Sequence, residues 1–191
     1  MCIRDREVGR ANCGAGSSPS SNGWRRRLER RAAAAAAMAA GLATMVASMS
    51  RGKKAYLEYG RELGEAIARL TELREELTAA IDQDADAYDG VVKAYRQARA
   101  SAGGEGSVNA ALERATRVPL EVAQRALEVA GIAETLGPIT NPNMRSDLAT
   151  AVALAKAGVE GARSNVEINL ESLKDGPLAA ELRQKLAALQ G

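Results

Sequence analysis

The sequence predicts an all-α protein that folds as an elongated bundle of long, kinked helices. Ala, Leu, Glu, Arg and Lys dominate its 191 residues, Phe is absent, and only five prolines interrupt the chain. No long stretch gathers the β-branched residues that favour strands. The length suits one folded domain, which we place at residues 32–191. Residues 1–31 are rich in Gly, Ser and Arg without apolar periodicity, which predicts a disordered or non-native tail.

Charge and side-chain chemistry argue against several classes of protein. The 26 basic and 24 acidic residues are mixed along the chain, so no broad positive field favours nucleic acid. His is absent and both cysteines lie in the predicted tail, so the sequence predicts no metal site and a cytoplasmic location. The apolar run from Ala32 to Val46 is short for a membrane span, and it predicts a buried helix without a membrane partner.

Five helices are predicted, separated by segments rich in turn-forming residues: "SRGKK", "SAGGEGS" and "GPITNPNMRSD". The predicted bounds are Arg31 to Ser50, Lys53 to Ala100, Val108 to Leu136, Asp147 to Leu173 and Pro177 to Gln190. Pro119 is predicted to break or kink the third helix near Arg117. Ser146 and Asp147 are predicted to cap the fourth helix and to favour its N-terminal dipole.

The second helix carries an apolar stripe that includes one acidic residue. The members alternate by four and three residues, as one face of a helix does. They are Leu63, Ile67, Leu70, Arg74, Leu77, Ile81, Asp84, Tyr88, Val91 and Tyr95. Three further acids nearby, Asp82, Asp86 and Asp89, fall off the stripe and are predicted to face solvent. Asp84 is therefore the acid that the pattern carries inward or into a cleft.

Two interpretations of Asp84 follow from the residues alone. In the structural one, the carboxylate forms a buried ion pair, with Arg74 or Arg145 as the partner, or fixes helix register as polar residues do in coiled coils. In the functional one, a carboxylate desolvated at the edge of a pocket moves a proton near neutral pH.

Four separated motifs carry a resemblance to a known family: "GKKAY", "IDQDADAY", "RVPLEVA" and "NMRSDL...GVEGARSNVEINL". Over residues 37–182 the chain resembles the formiminotransferase-cyclodeaminase / methenyltetrahydrofolate cyclohydrolase family, specifically its cyclodeaminase domain. The resemblance implies a helical homodimer that handles a one-carbon unit on a folate. It implies no metal, and no cofactor beyond the tetrahydrofolate-linked substrate. The catalytic aspartate of the family matches the second Asp of "IDQDADAY", which is Asp84.

The resemblance implies a 5-formiminotetrahydrofolate cyclodeaminase, which forms 5,10-methenyltetrahydrofolate and ammonia. Methenyltetrahydrofolate cyclohydrolase is the close alternative, because one carboxylate serves both reactions. An alternative of another class is a noncatalytic helical dimer or scaffold, in which Asp84 only sets helix register.

Seven further residues are candidates for substrate binding: two lysines and an Arg-Ser-Asp run that match positions of the family, and two asparagines four residues apart on one helix face. They are Lys53, Lys54, Arg145, Ser146, Asp147, Asn165 and Asn169. The lysines are expected to contact the glutamyl tail, or to form only a charged helix start. The Arg-Ser-Asp run is expected to bind an anion at a helix N-terminus, or only to cap the helix. The asparagines are expected to contact the pterin edge, or to satisfy buried backbone groups.

The N-terminal segment departs from the family pattern. The domain of the family begins with a Pro-Gly-Gly-Gly-Ser loop before its alanine-rich first helix, whereas this chain has "NGWRRRLERR" there. We hypothesise a frame error upstream of the alanines, because Trp-Arg codons of the form TGG CGG give glycine codons when they are read one base later. The initial "MCIRDR" resembles translated sequencing adapter. Loss of the loop predicts an incomplete pocket mouth with Asp84 still in place.

Overall fold

The computed structural model describes residues 19–100, 105–173 and 176–189, with residues 19–30 as backbone only. Regular structure in this part of the chain is entirely helical, which confirms the all-α prediction. The helices are α1 (Pro19–Ser50), α2 (Gly60–Ala100), α3 (Glu105–Leu136), α4 (Arg145–Ser172) and α5 (Pro177–Ala187). Short 3₁₀ helices at Lys54–Tyr59, Gly137–Ile139 and Pro142–Met144 lie in the connections.

Two helix starts differ from the prediction. Helix α1 begins at Pro19, before the predicted Arg31, so the segment in the place of the family's glycine-rich loop is helical. Helix α2 begins at Gly60 because the backbone of Tyr56, at φ −128° and ψ 18°, leaves the helical region. Residues 1–18 lie outside the described part of the chain, and the predicted tail stays a prediction.

The start of α4 also differs from the prediction. Met144 precedes the helix without a side-chain cap, so the prediction that Ser146 and Asp147 cap it was wrong. Asp147 lies in the first turn, where its charge favours the helix dipole as expected.

Helix α3 runs through Pro119 without interruption, so the predicted break near Arg117 was wrong. Proline costs a helix one hydrogen bond and crowds the preceding turn. Burial offsets that cost here, because Pro119 and Leu120 are both buried and Val122 and Ala123 follow them into the core. Tertiary packing therefore overrides the local preference of proline.

Helices α1 to α4 form an antiparallel four-helix bundle, and α5 lies against α3 and α4. Helix α1 contacts all three other bundle helices, because its inward side chains are small. Ala36, Ala39, Ala40 and Ala43 are fully buried. A methyl group on Gly158 of α4 would lie only 3.0 Å from the carbonyl oxygen of Ala32. This close approach explains why α1 has no fully buried large residue before Val46.

Ion pairs fix the register of α2 against α3. The Arg69 guanidinium binds both carboxylate oxygens of Glu128, at 2.6 and 2.9 Å. Arg125 Nε donates to Glu76 at 2.6 Å. Each pair joins an earlier residue of one helix to a later residue of the other, as antiparallel helices require.

The interior is divided into two hydrophobic clusters. The first cluster, at the end of the bundle that holds the α1–α2 connection, is formed by α1 to α4. The second cluster is formed by α3, α4 and α5, with Val91 of α2 packed against it. On α2 the first cluster ends at Ala80 and the partly buried Ile81. The stretch of α2 from Asp82 to Gly90 thus lies between the two clusters.

The buried face of α2 differs from the predicted stripe. From residue 73 onward, at every second stripe position, the buried residue is the one just before the predicted residue. Its buried residues are Leu63, Leu70, Leu73, Leu77, Ala80, Ala87 and Ala94. Arg74 and Tyr95, assigned to the stripe by sequence, are exposed, so those two assignments were wrong. Asp84 and Val91 continue the seven-residue spacing of Leu63, Leu70 and Leu77, and both are half-buried. Asp84 therefore occupies a seam position in the structure as well.

Candidate active site

Asp84 belongs to a polar layer between the two hydrophobic clusters. On α4, Ala162 closes the first cluster and Val166 opens the second, and Asn165 lies buried between them. On α3, Thr116 is fully buried. We call Asp84, Thr116, Asn165 and Asn169 the polar layer. Buried polar groups in a bundle core need a hydrogen-bonding partner or a function, so the polar layer is the candidate site.

The helix registers place Asp84, Thr116 and Asn169 at about one level of the bundle, with Asn165 one helical turn away. The Arg69–Glu128 and Arg125–Glu76 pairs put Asp84 opposite Ala115 of α3. Asn169 Nδ2 donates to the carbonyl oxygen of Ala115 at 2.8 Å. All helices rise by the same distance per residue, and neighbouring helices here run antiparallel. Asp84 of α2 and Asn169 of α4 therefore lie at the same height along the bundle, because both are level with Ala115 of α3.

Small residues flank Asp84 on the same face of α2. The seam of α2 changes from leucine to alanine at this level, with Ala80 before and Ala87 after Asp84. Alanine is too short to cover an adjacent side chain, so Asp84 remains half-exposed on an otherwise buried face. Asp82, Asp86 and Asp89 are exposed, which confirms the prediction that they face away from the core.

Neither cation considered as a partner for Asp84 is in reach. Arg74 precedes Asp84 by about ten residues, or about 15 Å of helix, and its Cδ lies over Gly41 of α1. Arg145 lies at the opposite end of α4 from the polar layer. The ion-pair interpretation therefore fails within one chain for the two arginines that the sequence suggested.

The other predicted substrate residues gather at the end of the bundle where α1 ends and α4 begins. Lys53 and Lys54 follow Gly52, whose φ of 79° turns the chain, and both lysines are exposed. Arg145 and Ser146 are exposed in the first turn of α4, and Asp147 is half-buried. We call these five residues the basic corner.

One hydrogen bond joins the two segments of the basic corner. The backbone N–H of Asn141 donates to Ser50 Oγ at 3.1 Å, which ties the loop before α4 to the last residue of α1. Arg145 and Asn141 line a cavity of about 360 Å³ with Thr140 and Leu148. Glu134 lies in the same lining and binds Lys156 at 2.8 Å.

The basic corner and the polar layer are distant within one chain. A methyl group added to Gly64 would lie 3.4 Å from Nη2 of Arg51. Gly64 of α2 is therefore level with the C-terminal end of α1. Asp84 follows Gly64 by about twenty residues, or about 30 Å of helix. The structure thus places Asp84 and Asn169 at one level of the bundle on different helices, and the lysines and Arg145 at one end of it, but does not join the two groups.

Sequence reasoning missed Thr116 as a member of the polar layer. It lies four residues after Leu112 and four before Leu120, on the apolar face of α3. Its hydroxyl donates to the Leu112 carbonyl at 2.7 Å, which allows a polar side chain to be fully buried. A hydroxyl at an apolar position of the helix pattern was the available signal. Among the described residues, no three His, Cys, Asp or Glu side chains are placed to hold a metal ion.

A family model for formiminotransferase-cyclodeaminase matches residues 31–188. The chain belongs to this family. A curated relative, the methenyltetrahydrofolate cyclohydrolase of Methylorubrum extorquens, is 34% identical over 161 residues, which cover 80% of this chain and 75% of that protein. The formimidoyltransferase-cyclodeaminase of Sus scrofa is 32% identical over the same share of this chain, which spans only 29% of that longer protein.

A solved structure of another family member shares the fold. Formiminotetrahydrofolate cyclodeaminase from Thermotoga maritima matches with a TM-score of 0.79 and 29% identity, over 85% of this chain and 79% of that one. The resemblance drawn from the four motifs is confirmed by these comparisons. The family member described here is therefore an all-α protein whose relatives are folate one-carbon enzymes.

Proposed function

We propose that this chain is a 5-formiminotetrahydrofolate cyclodeaminase in which Asp84 moves the proton. The observation that carries the proposal is the placement of a half-buried carboxylate in the polar layer of a cyclodeaminase-family bundle. The T. maritima cyclodeaminase, with its TM-score of 0.79, supports the same reaction here.

The proposed reaction needs one group that accepts and then donates a proton. The N10 amine of the folate attacks the carbon of the protonated formimino group on N5, and the Asp84 carboxylate accepts the proton that N10 loses. The carbon–nitrogen bond to the formimino nitrogen then breaks, and Asp84 returns the proton to the departing ammonia. The product is the 5,10-methenyl cation, which the regenerated carboxylate stabilises. Asn165, buried on α4 about one helical turn from the level of Asp84, is proposed to hold the pterin edge.

A second candidate is methenyltetrahydrofolate cyclohydrolase. The specific observation in its favour is the M. extorquens cyclohydrolase, 34% identical and matched over most of its own length. In that reaction Asp84 activates water for attack on the methenyl carbon. The substrate and the carboxylate are shared, so only the attacking group differs.

We further propose that the protein acts as a homodimer through the outer face of α1. Met38, Met45 and Met49 are 58%, 39% and 56% exposed, and all three point away from the core, as their spacing of seven and four residues requires. No charged residue occurs between Ala32 and Ser50. A helix that is apolar on every face is normally covered on every face. By length and composition alone, Arg31–Ser50 also suits a membrane span, although its inward alanines form the bundle core.

An antiparallel dimer through this methionine face would complete the site. The α1–α2 register, with Gly41 beside Arg74, puts Asp84 near the level of Arg31 on α1. A two-fold axis at the centre of the face would place Lys53 and Lys54 of the partner subunit within about one helical turn of that level. The lysines would then reach the folate tail while Asp84 acts on the other end of the substrate. Arg145, Ser146 and Asp147 would contribute from the same corner.

The test is to supply purified protein with 5-formimino- and 5,10-methenyltetrahydrofolate and to follow absorbance and ammonia. Ammonia release identifies the cyclodeaminase, and hydration of the methenyl substrate alone identifies the cyclohydrolase. Asp84→Asn is expected to lower kcat by about 10² to 10⁴ while the circular dichroism spectrum stays helical.

The matched control is Asp82→Asn, an exposed acid two residues earlier on the same helix. It is expected to change kcat less than about twofold. Equal losses in the two variants, or full activity of Asp84→Asn, would contradict the role of Asp84. Absence of turnover on both folates in the unchanged protein would favour the noncatalytic scaffold.

A further inference from the structure

Pro119 leaves one backbone carbonyl of α3 without its helical donor. In an α-helix the N–H of each residue donates to the carbonyl four residues earlier, and proline has no N–H. The carbonyl concerned is that of Ala115. Helix α3 nevertheless continues from Glu105 to Leu136 across this position. A partner from elsewhere is needed, because an unpaired carbonyl in a packed helix is costly.

Asn169 of α4 supplies that partner. Its Nδ2 donates to the Ala115 carbonyl at 2.8 Å, a short and well-formed bond between residues 54 positions apart in sequence. The side-chain amide thus takes the place of the backbone N–H that residue 119 lacks. The bond also crosses between two helices, so it fixes α3 against α4 as well as satisfying the carbonyl.

We propose that Asn169 is a positioning residue: it replaces the missing donor of Pro119 and so fixes the place of α3 at the level of Asp84. Arg69 and Arg125 already hold the later half of α3 to α2 through Glu128 and Glu76. The Asn169 bond holds the earlier half. With both halves fixed, the wall of the polar layer that α3 contributes is rigid. This assigns the Asn169 amide to the protein rather than to the pterin edge.

The catalytic consequence rests on the proposed function, whereas the hydrogen-bond replacement does not. A shift of α3 by a fraction of a turn would change the space beside Asp84 without touching the substrate. Misplacement of this kind lowers kcat more than it raises KM. Loss of a direct pterin contact would instead raise KM, because binding itself would weaken.

A double-mutant cycle between Asn169→Ala and Pro119→Ala tests the proposal. In the Pro119 background, Asn169→Ala is expected to lower the unfolding midpoint by about 2–4 °C and kcat by about tenfold or more. In the Pro119→Ala background the restored backbone N–H donates to Ala115. There Asn169→Ala is expected to cost less than half of the midpoint shift and less than about twofold in kcat.

Ser164→Ala is the control, five residues earlier on the same helix. Its effect is expected to be the same in both backgrounds, because the exposed Ser164 hydroxyl donates to the Glu160 carbonyl within α4. Asn169→Asp adds a second measurement in the native background, since the carboxylate keeps the side-chain volume but cannot donate. It is expected to lower the midpoint at least as much as Asn169→Ala.

Two results would overturn the proposal. The first is equal midpoint losses for Asn169→Ala in the two backgrounds, measured without any folate. The second is a rise in KM of the same factor in both backgrounds with kcat unchanged, which is the behaviour of a substrate contact. The folate-free cycle decides the hydrogen-bond replacement even if neither folate is turned over, so failure of the proposed function remains distinguishable.

Discussion

Ser50 Oγ accepts a hydrogen bond from the backbone N–H of Asn141 at 3.1 Å and donates one to the Val46 carbonyl at 3.0 Å. Ser50 is fully buried at the last residue of α1, and Asn141 belongs to the loop before α4. One hydroxyl therefore links the end of the first helix to the loop that starts the fourth. It also positions the basic corner, because Lys53 follows Ser50 and Arg145 follows Asn141 within four residues.

Ser50→Ala is expected to lower the free energy of unfolding by about 1–3 kcal/mol. The substitution removes the acceptor and leaves the Asn141 N–H without its partner, which costs more than the loss of one exposed hydrogen bond. Urea denaturation followed by circular dichroism measures the change. Ser48→Ala, at an exposed position two residues earlier, is the control and is expected to stay within about 0.5 kcal/mol. Equal effects in the two variants would contradict the role of the bond.

Gly158→Ala is expected to destabilise the protein by about 1–3 kcal/mol, because the added methyl group would overpack the α1–α4 crossing. It would lie 3.0 Å from the Ala32 carbonyl oxygen and 3.1 Å from Ala36 Cβ. Gly131→Ala, in α3 with nothing within 4 Å of the added carbon, is the control. It is expected to stabilise by about 0.5–1 kcal/mol through helix propensity. Calorimetry of both variants checks the opposite signs, and a stabilised Gly158→Ala variant would show that α1 can move away.

Stability is expected to depend on pH through Glu128. Its hydrogen bond to Arg69 lowers the pKa of the Glu128 carboxyl below its usual value. A lowered folded-state pKa means that the stabilisation is present above the ordinary glutamate value of about 4.3 and is lost as pH falls through the folded value. Glu128→Gln is therefore expected to be less stable than the unchanged protein at pH 7 and equal to it at strongly acidic pH. Urea denaturation across this range measures the difference, and a pH-independent difference would contradict the ion pair.

High salt gives an independent check of the same ion pair. Both side chains are about 40% exposed, so solvent and ions screen their attraction. We expect the difference between Glu128→Gln and the unchanged protein to shrink in about 1 M sodium chloride at pH 7.

Met45→Lys is expected to convert the proposed dimer to a monomer, because a charge at the centre of the methionine face would be desolvated on association. Sedimentation velocity at micromolar concentration measures the change. Gln124→Lys adds the same charge at an exposed position of α3 and is expected to leave the dimer intact. A monomeric unchanged protein, or a dimeric Met45→Lys variant, would contradict the methionine face as the interface.

The sequence was sufficient to predict the helices and the seam position of Asp84, but it did not predict every residue of the buried face of α2. Two sets of residues satisfy the same alternation of three and four: one uses Ile67, Arg74 and Tyr88, and the other uses Leu73, Ala80 and Ala87. The first set has the larger side chains, but the structure buries the second. Alanine is preferred where helices approach closely, and that depends on the neighbouring helix. Asp84 belongs to both sets, so its seam position did not depend on the choice.

Composition and periodicity by themselves determined the all-α class, the order of the helices and the seam position of Asp84, because these follow from local propensity and from the 3.6-residue turn. The four motifs determined the family. Only the tertiary structure decided that Asn169 replaces the donor missing at Pro119 and that Ser50 holds Asn141. It also decided that the basic corner lies about 30 Å from Asp84 within one chain. These facts depend on how distant segments are aligned, and alignment is set by packing and ion pairs between helices that no local pattern encodes.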